Sequence, residues 1–186
     1  MLIFLVGGSK SGKSMLAQDI SKSIENDKGS LYYIATMKPY DDEDILRIKN
    51  HIDEREGYNF KTIEKNKDII DIINKFNLED TVLLDSVTAL LTNEMFSGNN
   101  INTNVYKKII DHIKILKEKV QNLVIVSDYL FSDSIIYDEC TENFRKELGK
   151  INIEVAKFSD VVIEMSFKNK IIHKGKDLIG EIIWRI

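Results

Sequence analysis

The chain has 186 residues, 43% of them hydrophobic and 30% charged, and its 26 basic and 30 acidic side chains leave a net charge of −4. That is enough for one domain with a real core and too little for two catalytic domains, and a pI near 5.5 lacks the basic footprint of a nucleic-acid or anionic-membrane binder. The single cysteine, Cys140, makes neither an intramolecular disulfide nor a thiolate cluster, no apolar run reaches the ~20 residues of a membrane helix, and Met1 to Val6 run directly into a glycine loop rather than a leader, so a cytoplasmic protein without an integral membrane segment is expected.

Leu2–Val6 is apolar on both faces and predicts a buried strand. Gly7-Gly8-Ser9-Lys10-Ser11-Gly12-Lys13-Ser14 follows and fits G-x-x-x-x-G-K-S, and Ser14–Glu25 then shows helical spacing. Strand, loop and helix in that order make a phosphate-binding loop: the glycines let backbone N–H groups approach phosphate oxygens, and the helix adds the positive end of its dipole. Lys13 is expected on the β- and γ-phosphates and the Ser14 hydroxyl on Mg²⁺.

Leu31–Ala35 predicts the next strand and Asp42–Arg55 the next helix, whose start carries Asp41-Asp42-Glu43-Asp44. Ile45, Ile48 and Ile52 recur at helical spacing and predict a buried stripe, beside which Arg47, His51 and Arg55 sit four apart. Flanking guanidiniums disfavour the imidazolium, leaving a neutral His51 able to attack phosphorus while Arg47 and Arg55 stabilise phosphate oxygens. By spacing alone, a solvated helix face with an incidental histidine is the commoner outcome.

Lys67–Phe76 predicts a helix, and Thr81–Leu84 a strand ending at Asp85, the position of a Walker B acid that would share the metal with Ser14. Val105–Val120 (helix), Leu123–Val126 (strand), Glu142–Phe158 (helix) and Val161–Met165 (strand) continue the alternation, and Lys168-Asn169 predicts a hairpin turn between Val161–Phe167 and Lys170–His173. His112 and His173 lack partners at metal-ligand spacing and read as surface residues, and Cys140 as a structural thiol. The expected fold is α/β of P-loop NTPase type: a mostly parallel sheet flanked by helices, with a C-terminal hairpin at its edge, in one domain over residues 1–186.

These pieces together resemble a known family, the bifunctional adenosylcobinamide kinase/adenosylcobinamide-phosphate guanylyltransferases of cobalamin assembly. The resemblance rests on Gly7-Gly8 with Ser11-Gly12-Lys13-Ser14, Tyr33-Ile34-Ala35-Thr36, Asp41-Asp42-Glu43 with Arg47-Ile48 and His51, Leu83-Leu84-Asp85-Ser86-Val87-Thr88 with Leu91-Thr92-Asn93, and the late spacing of Phe144-Arg145, Gly149, Asn152, Ala156 and Asp160. It implies that a nucleoside triphosphate, GTP or ATP, phosphorylates the hydroxyl of adenosylcobinamide's aminopropanol arm. It further implies that His51 attacks the α-phosphate of GTP, releases pyrophosphate and passes GMP to the new phosphate, in a homo-oligomer of the family's typical trimeric form.

One region departs from the family pattern. Where members carry Asn-Glu-Val-Gly and then Gly-Ile-Val-Pro, this chain reads Asp128-Tyr129-Leu130-Phe131 and Ser134-Ile135-Ile136-Tyr137, with Lys146 in place of an Asp and Ile153 in place of a Gln. No glycine lies between Gly98 and Gly149, so this loop must be built without glycine's special backbone angles, and the acceptor side is where a difference is expected. The residues themselves also admit a P-loop kinase for another small alcohol, with His51 idle, and a nucleotide-binding subunit without turnover.

Overall fold

A computed structural model describes residues 1–98 and 101–185, the side chains of Arg47, His51, Glu54, Trp184 and Arg185 lying outside that description. Among the described residues seven strands form one sheet: β1 (Leu2–Gly7), β2 (Leu31–Ala35), β3 (Lys61–Glu64), β4 (Thr81–Asp85), β5 (Asn122–Asp128), β6 (Val161–Ser166) and β7 (Asn169–Lys174). Their order is β3-β2-β4-β5-β1-β6-β7, and every pair is parallel except the β6–β7 hairpin. The helices are α1 (Lys13–Ser23), α2 (Asp42–Glu54), α3 (Val87–Met95), α4 (Val105–Lys119), α5 (Glu139–Phe158) and α6 (Lys176–Arg185), with a 3₁₀ segment at Ile69–Lys75.

The two-residue period of a strand divides the core. Leu2, Phe4, Ile34, Val82, Leu84, Leu123 and Ile125 bury one face against α3, α4 and α5, while Ile3, Leu5, Tyr33, Leu83, Val124, Val126 and Ile163 bury the other against α1 and α6. Both faces being covered, the central strands read as unbroken apolar runs. The edge strands differ: β3 (Lys-Thr-Ile-Glu) and β7 (Asn-Lys-Ile-Ile-His-Lys) are mostly exposed, and their lysines blunt edge-to-edge pairing. That polarity is also why β3 offers no strand signal in the sequence.

A parallel crossover is right-handed, so the direction a connection takes along the sheet decides which face its helix covers. The connection from β1 runs towards β2 over one face through α1, and that from β5 runs back past β1 to β6 over the other through α5. The crevice outside the carboxyl ends of β1 and β5 is therefore left open, the place where open α/β sheets bind ligands.

Four expectations change. Lys67–Phe76 is a 3₁₀ turn rather than an α-helix: the run Ile69-Ile70-Asp71-Ile72-Ile73 is β-branched, Ile69 and Ile72 are buried three apart, and its start is tied down where Asp68 N donates to the buried Glu94 (2.9 Å) and Lys108 pairs with Asp68 (2.6 Å). The hairpin turn sits one residue earlier than expected, at Phe167 and Lys168, both with positive φ. The tail forms α6, which buries Ile179 beneath β6 and β1. The Ile45, Ile48 and Ile52 stripe is not buried, since Ile45 and Ile52 are 57% and 51% exposed and no neighbouring element among the described residues covers them.

Asp80 closes the opposite end of the sheet. It is 2% exposed, and its carboxylate accepts from Ser30 N and Asn77 N, both at 2.7 Å. Asp80→Ala strands both donors and is expected to cost about 3 kcal/mol, read as a lower urea midpoint at unchanged slope. Asp80→Asn, which keeps one acceptor, should lose less.

Candidate active site

β1 ends at Gly7, where a side chain would run into the Met165 carbonyl of β6, so this glycine is demanded by strand packing rather than by the turn. The turn belongs to Gly12, whose φ of 93° suits a residue without Cβ and which caps α1 with no side-chain hydrogen bond. No acid stands in the first turn of α1, whereas α2 and α5 carry acids there and are capped by Asp41 and Asp138. The leading amides of α1 thus keep their capacity for an anion. Gly8, Ser9 and Lys10 are exposed, Ser14 is half-buried, and Ser11 is buried with a hydroxyl that has no partner among the described residues. Lys13 is 7% exposed; its Nζ donates to Gly8 O at 2.6 Å and pairs with Asp128 at 3.0 Å.

Asp85 ends β4, in register with Ala35 on one side and Val126 on the other. One strand separates β4 from β1, so their axes lie about 10 Å apart, a gap that a hydrated divalent cation spans. The Tyr33 hydroxyl donates to Asp85 Oδ2 at 2.8 Å. Burial, then the Asp85 charge, pushes the Tyr33 pKa well above its ordinary value, so the phenol stays a donor. The Arg55 guanidinium stacks 3.9 Å above the Tyr33 ring, and Phe60 meets it edge-on at 5.7 Å. Arg55, the C-cap of α2, is thereby brought to the Asp85 end of the sheet. Arg47 and His51 belong to the same helix, His51 about one turn before Arg55, and their side chains lie outside the described residues.

The strand ends are locked together. Thr36 Oγ1 donates to Ser86 O (2.8 Å) and accepts from Ser86 N (2.7 Å); Asn93 donates to Thr36 O (2.8 Å), and Tyr40 OH to Asn93 (3.1 Å). The Tyr33-Ile34-Ala35-Thr36 and Thr92-Asn93 pieces noted in the sequence are thus one network joining β2, β4, α3 and the lead-in to α2.

Asp128 is a site residue that the sequence leaves unmarked. By position it opens the variant loop, yet it ends β5 in register with Gly7 and meets Lys13. A signal is present, since Val124-Ile125-Val126-Ser127-Asp128 repeats the pattern of a buried strand ending in Asp that singles out Asp85. The loop after it needs no glycine, because no residue from 129 to 137 has a positive φ. Arg145 organises it instead, donating to Leu130 O (3.2 Å) and Asp133 (3.3 Å) and lying 4.9 Å over the Tyr137 ring, while Phe131 packs against Gly149.

The remaining candidates play no part at this edge. His173 bonds to Glu164 at 2.7 Å in the hairpin, and His112 is partly buried, its pKa lowered by burial and then by Lys108. Cys140 is a half-exposed free thiol. Among the described residues no group of three His, Cys, Asp or Glu could hold a metal, and no helix is long and apolar enough to cross a membrane. Ser14 and Asp85 nevertheless fit Mg²⁺, a hard cation that takes few protein oxygens and completes its shell with water and phosphate.

Two solved ATPase structures share the fold. One is an isolated ATPase domain (TM-score 0.58, 14% identity, covering 95% of this chain and 77% of that one), the other a prototypical ATPase from the type III secretion system of pathogenic bacteria (TM-score 0.54, 13% identity, covering 89% and 51%). The bifunctional adenosylcobalamin biosynthesis protein CobU of Salmonella typhimurium is 28% identical over 87% of this chain and 93% of its own length. Its namesake in Escherichia coli K12 is 34% identical over 52% of this chain and 51% of its own. The family model described as cobinamide kinase / cobinamide phosphate guanyltransferase matches residues 3–167. With the phosphate loop, the Asp85 strand and the Tyr33 network all inside that span, the chain belongs to the cobinamide kinase / cobinamide phosphate guanyltransferase family.

Proposed function

We propose that this chain is a single-domain enzyme of cobalamin biosynthesis that phosphorylates adenosylcobinamide with a nucleoside triphosphate and then transfers GMP from GTP to adenosylcobinamide phosphate through a guanylylated His51. The observation that carries the reading is Lys13, buried at the head of an uncapped helix, within a fold edge that also presents Asp85. Backbone amides of Gly8 to Gly12 would cradle the β- and γ-phosphates, with Lys13 neutralising the charge that develops on them. When bound, Mg²⁺ supplies Lewis-acid stabilisation of the phosphate oxygens, held by Ser14 and Asp85. Tyr33 fixes the Asp85 carboxylate, and Arg55 and Arg47 on α2 would hold the α-phosphate for His51. A cytoplasmic setting, where nucleoside triphosphates are abundant, suits this chemistry, and a homo-oligomer such as a trimer would cover the exposed Ile45, Leu46 and Ile52 of α2.

Three outcomes test these roles. Lys13→Ala should lower triphosphate turnover by about a hundredfold to a thousandfold in steady-state assays, the usual worth of one such charge contact. Incubated with α-labelled GTP, the wild type should form a covalent GMP adduct that is labile in acid and stable in base, and His51→Ala should form none while still binding nucleotide. An adduct that persists in that variant assigns the nucleophile elsewhere. Tyr33→Phe keeps the ring under Arg55 but releases Asp85, and should raise the Mg²⁺ concentration for half-maximal activity by about tenfold; an unchanged magnesium titration would remove Asp85 from the metal site.

A further inference from the structure

We infer that Asp128 is a catalytic carboxylate of the phosphoryl-transfer step, taking the proton of the attacking hydroxyl. This rests on the kinase reading above and assigns the residue on the acceptor side of that reaction. The hydroxyl oxygen forms a bond to the γ-phosphorus, the bond from that phosphorus to the β,γ-bridging oxygen breaks, its electron pair leaves with the nucleoside diphosphate, and the hydroxyl proton passes to Asp128.

Position comes first. Asp128 is paired in register with Gly7, on the strand next to β1, whereas Asp85 lies one strand further away. Its oxygen is 3.0 Å from Lys13 Nζ. With that ammonium on the terminal phosphates at the usual ~2.8 Å, the carboxylate falls within roughly 6 Å of their oxygens. A hydroxyl about 3–3.5 Å from phosphorus and ~2.7 Å from its base fits that interval.

The two carboxylates also have different surroundings, which is how one site separates two roles. Asp85 is engaged by the Tyr33 hydroxyl. Asp128 has Lys13 as its side-chain partner among the described residues, and its side chain is 28% exposed. Its backbone is pinned instead: the N–H donates to Thr88 Oγ1 (2.9 Å), the carbonyl accepts from Asn152 (3.1 Å), and the next N–H, of Tyr129, donates to Gly7 O (2.9 Å). When Lys13 turns to the phosphates, a fixed carboxylate loses its cation and faces anions, a state relieved by a hydroxyl donor placed between them. The segment that follows presents Tyr129, Leu130, Ile135 and Ile136 to solvent, an apolar platform for the body of the molecule that carries that hydroxyl.

The test compares two single-turnover rates on the full chain: transfer from γ-labelled ATP to adenosylcobinamide, and GMP adduct formation from α-labelled GTP. In the isosteric Asp128→Asn the ratio of the first to the second should fall by at least about tenfold, and typically about a hundredfold. A smaller change in the ratio overturns the inference, including the case in which both rates fall together because Asp128 acts only through Lys13. Asp128→Ser also removes the carboxylate and is read in the same way should the first variant fail to fold. A wild type that transfers no phosphate to adenosylcobinamide would sink the kinase reading itself, whereas an active wild type with an unchanged ratio in both variants sinks the role of Asp128 alone.

Discussion

β1 lies between β5 and β6, and connections leave its neighbourhood in opposite directions over opposite faces of the sheet. This constraint orders the rest of the molecule. It leaves a crevice that neither α1 nor α5 can cover, sets the head of α1 at its floor and aligns the ends of β5 and β4 along its rim. Even Gly7 answers to it, since the Met165 carbonyl of β6 occupies the space that a side chain would need.

Around that crevice the charges are arranged to be exchanged. Lys13 is satisfied by Gly8 O and Asp128, both of which give way when phosphate oxygens offer more negative charge to the same ammonium. An isolated lysine buried to this degree would be costly, and the internal partners keep it charged and ready without a ligand. Asp85 is prepared differently. Its partner is a neutral hydroxyl, so its own charge stays available to a cation while its direction is set.

The Tyr33 ring joins this edge of the sheet to α2. Its hydroxyl serves Asp85 while its face carries the Arg55 guanidinium, so the end of the histidine helix and the magnesium-side carboxylate share one buried aromatic support. The variant loop likewise relies on one well-placed side chain. Where glycines would shape the backbone, Arg145 holds the segment from inside with hydrogen bonds to Leu130 and Asp133 and a stacked Tyr137, so the loop is rebuilt with ordinary backbone angles.

Much of this was legible in the residues because the signals are local. Doubly apolar runs mark strands covered on both faces, G-x-x-x-x-G-K-S is a contiguous loop, and the hairpin follows from two short runs and a turn. Elements whose form depends on distant partners were not legible. β3 is a strand only because β2 offers it hydrogen bonds, α6 a helix that buries Ile179 against strands far away in sequence, and Ile69–Lys75 a tight turn anchored to Glu94 and Lys108. The site divides along the same line. The sequence by itself determined that Lys13, Ser14 and Asp85 stand at strand and helix ends suited to phosphate and metal. Only the tertiary structure decided that Asp128 faces Lys13 and that Arg55 reaches Asp85 through Tyr33, because strand order and register, which no local pattern encodes, bring residues more than a hundred positions apart within 3.0 Å.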